Sequence, residues 1–128
     1  MNSNANLALA WLWLLLGFFS GMMLGLCFHR ENWLGGYGSL PRRLYRLAHI
    51  SFFGLGAVNL LFCLTVRSFS LAGASIRAAS LAFIVGAAAM PVCCVVMAHF
   101  PRARLWFAVP VISLITGAVL TLLEVAKL

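Results

Sequence analysis

The sequence predicts an all-α integral membrane protein, a single domain whose four helices cross the bilayer up-down-up-down as a four-helix bundle. Three observations carry this. Hydrophobic residues fill 64% of the 128 positions and charged residues 9%, with a mean hydropathy of +1.06. A soluble domain of this size leaves too much surface exposed to hide that apolar content. The apolar residues also fall into four runs, each near the ~20 residues that cross a ~30 Å hydrocarbon core. Between the runs lie clusters of glycine, proline and arginine, with no stretch left over for a second domain. Backbone groups in lipid must be satisfied inside their own segment, so a helix is the economical form for every run.

The first span is read as 7–28. No basic residue precedes its long apolar stretch, so it is expected to stay as a helix rather than act as a cleaved signal. Gly17, Gly21 and Gly25 repeat every four residues and lead to His29. Glycines at that spacing make a flat groove for another helix, which predicts close helix packing or self-association through these three positions. A flat cofactor beside His29 is the second reading of the same groove.

The second span, 44–66, is preceded by Ser39 and Pro41, a capping residue followed by proline in the first turn. Arg42, Arg46, His49, Phe53, Gly56, Asn59, Cys63 and Arg67 recur along it at helical spacing and are predicted to face the bundle. Asn59 lies near mid-span, where an unpaired amide is costly. Its expected partner is a hydroxyl of the fourth span, which presents Ser113, Thr116, Gly117, Thr121 and Glu124 on one face. The third span, 75–98, contains Pro91, which cannot donate to the carbonyl of Ala87 and so frees it. The fourth is read as 105–123, with Glu124 placed to pair with Arg77.

Arg30, Arg42, Arg43, Arg46, Arg102 and Arg104 fall at one end of the predicted bundle, and Arg67, Arg77 and Lys127 at the other. The excess of positive charge puts the first end in the cytoplasm and both termini on the non-cytoplasmic side, as in a bacterial-type inner membrane. Trp11 and Trp13 on one side, with Trp33, Tyr45 and Trp106 on the other, fit aromatic belts. The net charge of +7 is explained by the bilayer, with Arg42, Arg43 and Arg46 meeting anionic lipid headgroups, rather than by nucleic acid.

Candidate chemistry centres on the three histidines, His29, His49 and His99, all predicted at the arginine-rich end. His29 and His99 close their helices, where an imidazole can meet free carbonyls and the negative end of the dipole. His49 begins its helix beside Arg42 and Arg46, surroundings that favour the neutral ring that ligates metals. A b-type haem would use His49 with His99, or with His29, as axial ligands, with Arg42 or Arg46 meeting its propionates. The stretch Arg46-Leu47-Ala48-His49 resembles, over one turn, the histidine-bearing helices of haem-binding membrane subunits. Copper is the lesser metal: Cys27, Cys93, Cys94, Met22, Met23, Met90 and Met97 supply soft ligands, but no Cys-x-x-Cys spacing occurs, and sulfur side chains are also ordinary apolar filler.

The chain has no Asp, and its two glutamates sit at span edges, so a hydrolytic triad and a mid-membrane proton carrier are both disfavoured. The function expected from this inventory is a non-catalytic accessory or assembly subunit that contacts other subunits of a larger membrane complex, such as an electron-transfer assembly. A haem- or copper-binding electron carrier and a small oligomeric transporter are the alternatives.

Overall fold

Each apolar run forms a helix long enough to cross a bilayer. The structure, a computed structural model, describes residues 4–128. Helix α1 covers Asn4–Phe28, α2 Leu40–Ser68, α3 Ala74–His99 and α4 Ala108–Val125; short 3₁₀ segments occupy Trp33–Gly35 and Pro101–Phe107. At 1.5 Å per residue, the 25 residues of α1 extend about 38 Å, more than a hydrocarbon core requires. The fourth predicted span begins three residues early. Residues 105–107 are wound as the end of the 3₁₀ segment that starts at Pro101 and leads straight into α4.

The turns explain the boundaries. Ser39 caps α2 by accepting from the Arg42 backbone N–H at 3.3 Å and itself donates to the Leu34 carbonyl at 2.6 Å. Gly35 and Gly36 ahead of it take φ of +85° and +91°, backbone conformations open to glycine without a Cβ penalty. At the other end of α2 the Leu71 N–H bonds Val66 O and the Ser70 N–H bonds Arg67 O. That pair is a Schellman ending, with Ser70 at φ +50° in the position glycine normally takes. It ends α2 sharply and aims the chain into α3.

Consecutive helices run in opposite directions. Gly17 and Gly21 of α1 lie under Phe53 and His49 of α2, while Gly56, further along α2, approaches the Ala10 carbonyl. Gly86 and Gly117 do the same for α3 and α4: a Cβ at Gly86 would fall 2.6 Å from Leu114, and one at Gly117 3.0 Å from the Phe83 ring. An apolar core cluster joins Phe62, Ile76, Ala79 and Phe83, with Leu114 and Leu120 of α4 against it. Helix α1 packs on α2 and only lightly on α3, and α4 packs on α3, with no substantial contact between α1 and α4. In the apolar stretches of α2 and α3, 39% of residues are buried, against 17% in α1 and 11% in α4. The bundle is therefore a row with α2 and α3 inside and α1 and α4 as flanks.

The α1–α2 connection, 29–39, which carries His29, and the α3–α4 connection, 100–107, which follows His99, lie at one end, the histidine end. The chain termini and the α2–α3 turn form the opposite, terminal end.

Candidate functional site

Two polar constellations tie the helices together, one toward each end. Toward the terminal end, Asn6 of α1, Asn59 of α2 and Ser80 of α3 are all buried. The Asn6 amide donates to Asn59 Oδ1 at 2.8 Å and to the Ser80 carbonyl at 3.4 Å. The Ser80 hydroxyl donates back to Asn6 Oδ1, and the Asn59 amide donates to Leu55 O at 2.9 Å. Asn59 faces the bundle as its spacing predicts, but its partner is Asn6 and not a hydroxyl of α4. Thr121 donates within its own helix, to Gly117 O at 2.7 Å, and Thr116 is exposed.

A second link crosses from α1 to α3. The carbonyl of Ala87, freed by Pro91, accepts from the Trp13 indole N–H at 3.1 Å. Trp13 is thus an interior residue, about 15 Å from the start of α1 by helical rise, and not a member of the interfacial belt predicted for it. Trp11 remains exposed.

At the histidine end Arg42 is the organising residue. It is 4% exposed, closed in by the rings of Phe28, Trp33 and Tyr37 with centroids at 5.0, 5.8 and 5.5 Å. Its guanidinium donates to Phe28 O at 3.2 Å and Glu31 O at 3.3 Å. It thereby caps the C-terminus of α1, the task predicted for His29, which is exposed and lies just beyond the helix. The buried Arg42 Nε has no hydrogen-bond partner among the described residues. Enclosed in this way, Arg42 keeps little free surface for the lipid headgroups or haem propionates expected of it. Arg46 lies over Tyr37 at 4.5 Å and donates to its carbonyl at 3.4 Å, while Arg43 is exposed.

The other two histidines have separate partners. His49 Nδ1 is 2.9 Å from Ser20 Oγ, and Ser20 donates its one proton to Gly17 O at 3.0 Å. Ser20 thus bridges the α1 backbone and the imidazole, and the direction of its bond to the ring follows the ring's tautomer. The ring stands edge-on to Phe53 and lies close over Gly21. His99 Nε2 is 2.9 Å from the Tyr45 hydroxyl. Tyr45 also joins Trp33 to His99 in an aromatic run that begins at Phe28, with neighbouring ring centroids 6.0–6.1 Å apart. A cavity of about 370 Å³ is lined by Ser20, Cys27, Trp33, Tyr45 and His49, with apolar side chains around them.

Phe53 and His49 of the same chain fill the space beside Gly17 and Gly21, where a second helix or a flat cofactor was expected, and Gly25 has open space beside it. Axial ligation by His49 and His99 would require His99 to give up Tyr45 or turn its other nitrogen inward. Among the described residues no three His, Cys, Asp or Glu side chains converge to hold a metal ion. The four cysteines are free thiols, and Cys93 donates to Trp106 O at 3.5 Å. Glu124 pairs with Lys127 at 2.9 Å rather than with Arg77.

Asn6, Trp13 and Ser20 are the residues that sequence reasoning missed. Together with Ala10, Gly17 and Leu24 they recur three or four positions apart along α1, a helical stripe that marks its buried face. Comparison with family models, with characterised proteins and with solved structures finds no match for this chain.

Proposed function

We propose that this chain is a non-catalytic helical subunit that holds neighbouring membrane subunits through the outer faces of α1 and α4. The observation that carries the reading is that the interior polar side chains are engaged within the bundle: Asn6 with Asn59 and Ser80, Trp13 with the Ala87 carbonyl, His49 with Ser20, and Arg42 with two carbonyls. Such groups fix the relative positions of the helices and are not poised to act on a substrate. The flanking helices, by contrast, present long apolar faces with aromatic side chains, including Phe18 at 68% exposure, suited to lipid or to another helix. Arginine counting orients the histidine end toward the cytoplasm of a bacterial-type inner membrane.

Purification from the native membrane in mild detergent, with an absorption spectrum and mass identification of partners, tests this reading. The expected result is a colourless preparation carrying one or more membrane partners in fixed stoichiometry. A lone monomer that retains activity overturns it, as does a Soret band that disappears in His49→Ala.

A further inference from the structure

A cavity of about 570 Å³ lies at the terminal end, between the last turn of α2 and the first turns of α3. Arg67 and Arg77 both line it, along with the Asn4 side of α1 and, deeper in, Ser80. No acidic residue is among its lining residues. Of the two glutamates in the chain, Glu31 lies in the connection at the histidine end and Glu124 is paired with Lys127. The two guanidiniums therefore share a cavity with no neutralising partner inside it among the described residues. They are also two of only three basic residues at this end, so retention of a topology signal does not explain why they converge.

The local structure holds them there. The Schellman ending of α2 fixes Arg67 one turn before the chain reverses, and Arg67 donates to Asn4 Oδ1, which holds the side chain across the mouth of the cavity. An arginine has five N–H donors, so one bond to Asn4 leaves a fork still able to bind. One wall is apolar, formed by Phe62, Val66, Leu71 and Ile76. The deep end is neutral and satisfied, because Ser80 is bonded to Asn6.

We propose that this cavity binds a phosphate group, with Arg67 and Arg77 as its charge partners and the apolar wall beside them for whatever chain the phosphate carries. Guanidinium forks match the geometry of phosphate oxygens and bind them in preference to a point charge. The chemistry is shared by the headgroup of an anionic phospholipid and by free inorganic phosphate. The site stands apart from the subunit reading, since it uses neither outer face of α1 or α4.

The test uses the full chain in nanodiscs of phosphatidylcholine, with thermal unfolding and binding followed on two arms. One arm adds phosphatidylglycerol to the bilayer; the other adds inorganic phosphate to the buffer of the pure phosphatidylcholine discs. A saturable rise in Tm with phosphatidylglycerol alone assigns the site to a lipid headgroup, and one that also appears with inorganic phosphate assigns it to the free anion. In either case Arg67→Gln and Arg77→Gln should each weaken binding about tenfold. An Arg104→Gln control at the other end should leave it unchanged. Both cavity arginines are exposed, so the variants should melt like the parent in phosphatidylcholine without added phosphate. The proposal is overturned if neither arm shifts Tm, or if the shift survives in the Arg67→Gln, Arg77→Gln double variant.

Discussion

At the terminal end three neutral side chains from three helices satisfy one another, whereas at the histidine end one charged side chain, Arg42, is closed in by three rings and two carbonyls. The first arrangement is reciprocal. Asn6 gives to Asn59 and Ser80 and receives from Ser80, so removing any member strands another inside the bundle. The second is radial, because every contact runs to Arg42 and its partners keep other roles. Phe28 and Trp33 still pack on each other, and the carbonyls lie beside a connection that can be hydrated. The lesson is that cost follows what is left behind, not the strength of the bond removed.

The ranking of substitutions puts that to the test. Asn59→Leu should have the largest effect, about 2 kcal/mol of unfolding free energy, since the Asn6 amide loses its nearest acceptor away from water. Equilibrium unfolding in detergent micelles measures it, and stability equal to the parent would remove the reciprocal network from the account. Arg42→Met should cost less, about 1–2 kcal/mol, from the lost cation–π contacts and the cap on α1. Its signature should be local, as faster hydrogen exchange in residues 29–39. A penalty larger than that of Asn59→Leu would reverse the comparison between the two ends. Trp13→Phe is the smallest, about 1 kcal/mol for the stranded Ala87 carbonyl. That penalty should shrink in a Pro91→Ala background, where residue 91 again donates to Ala87 from within the helix. A double-mutant cycle reads the coupling directly, and strict additivity would mean that the Trp13 bond does not depend on the proline.

What was legible in the sequence follows from which forces act locally. Ser39 and Pro41 announce the start of α2 because capping and proline geometry are properties of neighbouring residues. Pro91 exposes the Ala87 carbonyl by the same local logic. The inward face of α2 is likewise readable from the spacing that carries Asn59, and the structure keeps Arg42, Gly56, Asn59 and Cys63 buried on it. Partner identity is a different matter. Asn59 was matched to the α4 hydroxyls, yet α2 packs against α1 and α3 and not substantially against α4, a fact that periodicity within one helix does not contain. Asn6 escaped notice because it sits one residue outside the first apolar run. Trp13 was placed at an interface by composition alone, when its true partner lies 74 residues away. The site expectations were weakest where they needed geometry: two histidines near one end say nothing about whether their nitrogens are already engaged by Ser20 and Tyr45.

The bonds from α1 to α3 also bear on how the chain is made. Helix α1 precedes α3 in the chain, so the Asn6 amide and the Trp13 indole are synthesised before Ser80 and Ala87 exist. A hairpin of α1 and α2 has Phe53 over Gly17 and His49 over Gly21, but it has no acceptor for Trp13. The final seating of α1 is therefore set by α3, because a chain that stops short of α3 leaves Asn6 without Ser80 and the Trp13 indole without its acceptor.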